Sequence, residues 1–187
     1  MSTLITSEIF HKTSTLEIAQ YEDCNFKECD FSNQDLKEYV FIDCTFETCN
    51  LGNTNLTNAA LRNVIFKQCK LIGIHFSYCN PFLFDIQCLE CNLNFCSFYG
   101  MKLKKIQFNT CQLEEADFTN TDLTEAIFKE TNLLNTAFVD AKLNKADFST
   151  ALNFMIDPEL NSMQGAKFSK HDLAGLLFKY KLKILNV

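Results

Sequence analysis

Between Cys111 and Phe148 the sequence reads in fives, as CQLEE, ADFTN, TDLTE, AIFKE, TNLLN, TAFVD, AKLNK and ADF. Every fifth residue is Leu or Phe, and the residue two before it is small. An amphipathic helix would repeat at three and four, and a half-buried strand at two. A sustained period of five fits neither and demands a repeat architecture.

The same phase extends far beyond this stretch. Counting from Tyr21, the central position, i, falls on Tyr21, Phe26, Phe31, Leu36, Phe41, Phe46, Leu51, Leu56, Leu61, Phe66, Leu71 and Phe76. Pro81 then stands where a large apolar residue is due, and the period resumes at Leu83 and runs to Phe148. A two-residue insertion within Tyr78–Phe82 accounts for the offset. Asn80-Pro81 is turn chemistry, because proline biases the residue before it away from helix.

These pentads resemble the pentapeptide-repeat family, whose motif A(D/N)LXX is met almost literally by ADFTN (116–120), TDLTE (121–125) and ADFST (146–150). The resemblance implies an all-β, right-handed quadrilateral β-helix, with four pentads per coil and residues i and i−2 pointing inward. Twenty residues per coil would stack positions twenty apart. One such column reads Phe26, Phe46, Phe66, Cys88, Phe108, Phe128, Phe148; the next reads Phe31, Leu51, Leu71, Leu93, Leu113, Leu133. The third reads Leu36, Leu56, Phe76, Phe98, Phe118, Phe138, and the fourth Tyr21, Phe41, Leu61, Leu83, Leu103, Leu123, Leu143. Like side chains gather in like columns, which a period of five alone would not require. The columns stay in phase across the break, so the insertion belongs at a corner. Roughly 6.5 coils at about 4.8 Å each give a rod of roughly 31 Å.

This reading divides the chain into an N-terminal cap strand (1–18), the repeat (19–153, broken near 78–82) and a C-terminal segment (154–187). In the last, Ser169 and Asp172 have the spacing of a helix start. Leu173, Leu176, Leu177 and Tyr180 follow at helical spacing, and LKILNV ends the chain as a strand. By resemblance to relatives, this short C-terminal helix and strand form a two-fold homodimer, with Leu173, Leu176, Leu177, Tyr180, Leu182 and Ile184 at the interface.

The chemistry-bearing residues point away from catalysis. Eight of the ten cysteines stand at i−2, where a small, weakly polar side chain fits beside a large one. Cys88 and Cys91 form a lone CxxC with no second pair to complete a zinc site. His11, His75 and His171 are scattered, and no phosphate loop, GxSxG or HExxH occurs. The expectation is therefore no enzyme, no metal and no cofactor. A net charge of −6 disfavours direct nucleic-acid binding, and no apolar run is long enough to span a membrane. The N-terminus lacks the basic and apolar regions of a signal peptide, so the chain is expected in the cytoplasm with reduced thiols.

The charges sort by region. Residues 1–50 carry ten acids and three bases, 51–110 two and six, 111–150 eight and three, and 151–187 three and five. Lys102/Asp122/Lys142, Lys105/Glu125/Lys145 and Lys27/Glu47/Lys67 alternate in sign at spacings of twenty and are expected to stack as ion-pair ladders. Glu114, Glu115, Asp117 and Asp140 have no such partner. Size, layout and apolar tail resemble the Qnr and MfpA group, dimeric rods that mimic B-form DNA and protect type II topoisomerases, DNA gyrase and topoisomerase IV, from fluoroquinolones or toxins. That resemblance makes the four unpartnered acids candidate contacts for a topoisomerase, and Asn80, Pro81 and Phe82 a candidate protruding corner. The other reading is a non-catalytic interaction scaffold with a different protein partner.

Overall fold

The computed structural model describes residues 3–183. It is a parallel β-helix with four flat faces, named below by the Phe26, Phe31, Leu36 and Phe41 columns. Thirteen short strands mark two of them: β1 (Thr3–Thr6), β2 (Ile9–His11), β3 (Ala19–Glu22), β4 (Asn25–Lys27), β5 (Val40–Ile42), β6 (Thr45–Glu47), β7 (Ala60–Arg62), β8 (Val64–Lys67), β9 (Ile86–Leu89), β10 (Gln107–Asn109), β11 (Ile127–Lys129), β12 (Asp147–Phe148) and β13 (Lys167–Phe168). On the Phe41 face the ladder runs β1-β3-β5-β7; on the Phe26 face it runs from β2 through β4, β6 and β8 to β13. The other two faces are held by single bridges such as Asp30–Asn50 and Ser97–Asp117.

The register is that of the columns. Phe26 pairs with Phe46, Phe46 with Phe66, Phe66 with Cys88, and Phe108 with Phe128. The Phe rings therefore stack: the Phe128 ring lies 5.4 Å from Phe108 and 4.8 Å from Phe148, and edge-on to Phe118 and Phe138 at 5.9 and 6.1 Å.

The period of five has a backbone cause. At nearly every corner, residue i+2 is left-handed, as at Asn33, Asn53, Glu115, Asn120 and Asp140, with φ between 54° and 57° at these five. A positive φ two residues past i, with the amide of i+3 on the carbonyl of i (Gln34 to Phe31, 3.1 Å), turns the chain as a type II turn does. Asn and Asp tolerate this conformation better than other non-glycine residues.

The coil extends past both ends of 19–153. Ile5 pairs with Tyr21 and Phe10 with Phe26, sixteen residues apart, with Ser7 and Lys12 left-handed at i+2. The expected single cap strand is thus a shortened coil with two strands, β1 and β2. At the other end Phe148 pairs with Phe168, and Lys142 bridges to Ser162. Nine strands on the Phe26 face make eight intervals, so the rod is longer than the expected 6.5 coils, at roughly 38 Å for 4.8 Å per coil.

At the break, Asn80 still bonds the coil before it in the old register (amide to Ala59 carbonyl, 2.9 Å), whereas Ile86 already pairs with Val64 in the new one. Pro81 occupies the i position and Leu83, left-handed and 65% exposed, the corner. The extra residues are therefore Phe84 and Asp85, later than the expected Tyr78–Phe82. Phe84, in place of Leu83, packs against the core, edge-on to Phe76 at 6.3 Å.

The expected C-terminal helix is 3-10 in form: Lys170–Leu176 and Phe178–Tyr180, with the Ser169 hydroxyl accepting the His171 amide. It lies over the last coil, where the Ile156 amide donates to the Gly175 carbonyl at 3.0 Å. Of the expected terminal strand, 184–187 lie outside the described residues. Lys179 clamps the cap, its Nζ 2.9 Å from Asp157 Oδ1 and 2.6 Å from Glu159 Oε2. These bonds hold both carboxylates below their ordinary values. A detached cap would bind protons more tightly at those groups, so the clamp contributes fully above the ordinary carboxylate range and fails as pH falls through the lowered values. The protection of the Ile156 amide against hydrogen exchange, relative to the intrinsic rate at each pH, should fall in that acid window, and Lys179→Met should remove this fall.

Candidate functional site

Inside the rod the Thr and several of the Cys side chains at i−2 share one task. Thr54, Thr121, Thr131 and Thr136 each donate a hydroxyl to the carbonyl of the i residue in the preceding coil, at 2.7–3.0 Å. Cys49, Cys69, Cys91 and Cys111 make the corresponding thiol contacts at 3.3–3.4 Å. With Pro81 at i, Cys79 also stands at i−2, leaving Cys88 as the one cysteine at i. All ten cysteines are free and buried. Burial pushes the Cys44, Cys79, Cys96 and Cys111 thiols up to about 12, so they stay neutral and unreactive. Ellman's reagent should titrate almost none of the ten thiols in native protein and all of them after unfolding; rapid native labelling of even one would point to an exposed, activated cysteine. No group of metal-binding side chains occurs among the described residues.

The outer surface is more differentiated. Lys27 meets Glu47 at 3.5 Å and Lys105 meets Glu125 at 3.9 Å, as the ladders require. Asp122 is met by Lys104 at 3.6 Å in place of Lys102. Among the described residues, Lys67, Lys142 and Lys145 reach no acid within ion-pair distance. Exposed pairs of this kind contribute about 0–1 kcal/mol each.

The four expected acids fall on one side. Glu114 and Glu115 lie at the corner entering the Leu36 face, Asp117 on that face, and Asp140 at the corner leaving it. None of the four is in an ion pair among the described residues. Asp117 Oδ1 accepts the Thr119 amide at 2.9 Å, which fixes that carboxylate at the turn. Asp35 and Glu38 lie on the same face toward the N-terminus, at the positions equivalent to Asp117 four coils on and Asp140 five coils on. Their alignment follows from the coil period, and like Glu114, Glu115, Asp117 and Asp140 they are acids that the lysine ladders leave unpartnered. Lys37, at i+1, is the one lysine on this face and His75, at i−1, its one histidine, so the Leu36 face is acidic at both ends.

Between those ends the face is aromatic. Tyr78 is 61% exposed and Tyr99 53%, and Phe82 on the adjoining face is 63% exposed. Of the expected corner residues, Pro81 and Phe82 are exposed, while the half-buried Asn80 turns its Oδ1 back to the Phe82 amide at 2.9 Å. Phe82 lies over the Arg62 guanidinium at 5.3 Å. Of the tail residues, Leu173, Leu177, Tyr180 and Leu182 are exposed, together with Phe178, whose spacing had not marked it. Leu176 packs instead against the core of its own chain, and Ile184 lies outside the described residues.

Residues 19–81 match the pentapeptide repeat region family, and residues 91–129 and 116–151 match the family of eight-copy pentapeptide repeats. No curated protein matches the sequence. Among solved structures, a trypsin-treated form of QnrB1, a plasmid-mediated fluoroquinolone resistance protein, superposes with a TM-score of 0.64 at 16% identity over 98% of each chain. Full-length QnrB1 gives a TM-score of 0.55 at 15% identity, over 96% of this chain and 100% of its own. At such identities the likeness is one of fold.

Proposed function

Since the chain belongs to the pentapeptide-repeat family, we propose that it is a non-catalytic, DNA-mimicking protein that binds a type II topoisomerase, DNA gyrase or topoisomerase IV, and protects it from fluoroquinolones or a gyrase-poisoning toxin. The observation that carries this reading is the Leu36 face, with unpaired carboxylates at both ends and a single lysine among them. A narrow rod with an acidic stripe suits a basic duplex-binding saddle and is steered to it by long-range attraction. The whole-chain fold likeness to a fluoroquinolone resistance protein supports it. In the same reading the exposed tail residues Leu173, Leu177, Phe178, Tyr180 and Leu182 pair two copies end to end.

Added to a gyrase supercoiling assay containing ciprofloxacin, the protein should restore supercoiling. The double variant Glu115→Lys, Asp140→Lys should need about tenfold more protein for the same effect, equivalent to about 1.4 kcal/mol. No rescue and no binding at any concentration would sink the proposal.

A second reading has its own observation. Duplex DNA carries one charge per roughly 1.7 Å, so a rod of roughly 38 Å would need about 22 to match it, against a net −6 here. A scaffold that offers the same face to another protein needs no such density.

A further inference from the structure

The break opens a groove at the corner between the Leu36 and Phe41 faces. Ser77, Cys79, Pro81, Phe84, Tyr99, Gly100, Met101 and Lys102 line about 310 Å³, the lower range of small-ligand sites. Its origin is a gap in the ladder. The short helix Phe76–Tyr78 turns the Tyr78 amide onto His75 in its own coil, and Pro81 has no amide to give. On the far side the Lys102 amide has no backbone partner among the described residues, though Asp122, its equivalent one coil on, bonds Met101 at 2.9 Å. Gly100, at φ 70°, would meet nothing within 4 Å if it carried a Cβ. The same corner is closed by Asn120 and Asp140 in the following coils.

The groove's surroundings are apolar and cationic. Tyr78 and Tyr99 stand on one side, Phe82 and Leu83 on the other, each more than half exposed. Such a concentration of exposed large side chains marks an interaction surface. The charges beside it are mainly positive: residues 51–110 hold six bases against two acids, one of which, the exposed Asp85, follows Phe84 at the break. Lys102 lines the groove and ion-pairs with nothing among the described residues, whereas Lys104 and Lys105, next on the Phe41 face, are paired with Asp122 and Glu125. Arg62, the single arginine of the chain, meets Phe82 and forms no ion pair among the described residues, and its buried Nε has no hydrogen-bond partner.

We propose that this groove binds an extended acidic segment of a partner protein, one apolar side chain entering between Tyr99 and Phe84 and flanking carboxylates lying against Lys102 and Arg62. The occupant follows from charge complementarity, and the open Lys102 amide supplies a donor for its backbone or a carboxylate. This surface shares Tyr78 and Tyr99 with the middle of the Leu36 face but uses none of its acids, and it does not depend on the topoisomerase reading.

The test is a selection of random twelve-residue display peptides on the purified full chain, with counter-selection on Lys102→Glu. That variant should fold, since the same column carries Asp122. Enriched peptides should place Asp or Glu beside Phe, Leu or Tyr. A synthetic consensus peptide should lose at least tenfold in affinity on Lys102→Glu and on Ser77→Trp, which fills the groove, and should weaken with salt. No enrichment over the counter-selected variant would overturn the proposal. So would a basic or uncharged consensus, or binding indifferent to both substitutions while circular dichroism shows them folded.

Discussion

Phe128→Ala should destabilise the rod by about 3–5 kcal/mol in urea unfolding followed by circular dichroism. Phe128 is fully buried, stacked between Phe108 and Phe148 and edge-on to Phe118 and Phe138. Four rings lose a neighbour at once. The surrounding backbone cannot collapse into the void, because each coil is held at strand spacing by the ladders above and below. In a solenoid every repeat contacts only its neighbours, so stability is a sum of adjacent interfaces, and a weak coil in the middle damages two of them. Phe128→Leu should cost less, since leucine fills the equivalent position on the neighbouring face. Ile127→Ser, one residue away and pointing outward, should lie within about 0.5 kcal/mol of wild type. Equal losses from the inward and outward changes would show that the column is not what holds the coils together.

The contrast between those neighbours is also the reason that most of the fold was legible. Inward and outward positions alternate on a fixed period, so Phe26 to Phe148 could be assigned to columns from residue type alone, and the observed pairing of Phe66 with Cys88 across the break follows those columns. Legibility fails where the period does. Ile5 and Phe10 belong to the same two faces, but their coil is sixteen residues long, so no spacing of twenty links them to Tyr21 and Phe26. At the break both Leu83 and Phe84 are apolar, and the choice between them was made by the left-handed turn after Pro81, a backbone property invisible in a hydrophobic pattern. Phe148 to Phe168 continues the register through residues that no longer look like the repeat, because the cap covers them in place of another coil. The candidate site was legible in part. The unpartnered acids could be named by subtracting the lysine ladders, whereas the aromatic cluster and the groove arise from a missing ladder bond.

The C-terminal cap depends on one residue that pattern reading passed over. A Cβ at Gly175 would lie 2.2 Å from the Phe154 carbonyl oxygen and 2.8 Å from two carbons of its ring. The carbonyl is backbone and cannot rotate aside. Phe154 is itself buried, with its ring 5.3 Å from Phe168. Gly175→Ala therefore has to lift the Lys170–Leu176 segment from the last coil, breaking the Ile156–Gly175 bond and withdrawing Leu176 from the core. The overpacking cost is about 1–3 kcal/mol, but the larger consequence is topological. An uncovered final coil presents unpaired strand edge, which recruits other chains. Light scattering should therefore show the variant as heterogeneous aggregate under conditions where the wild type has a single mass, with the aggregation suppressed by restoring glycine. If the wild type is a dimer through the exposed tail residues, Gly175→Ala should abolish that species as well, since lifting the segment displaces Leu173, Leu177 and Phe178 together. A dimer of unchanged mass in Gly175→Ala would place the contact between copies elsewhere on the rod; a well-behaved monomer would show that the tail joins the copies without being needed to cover the coil.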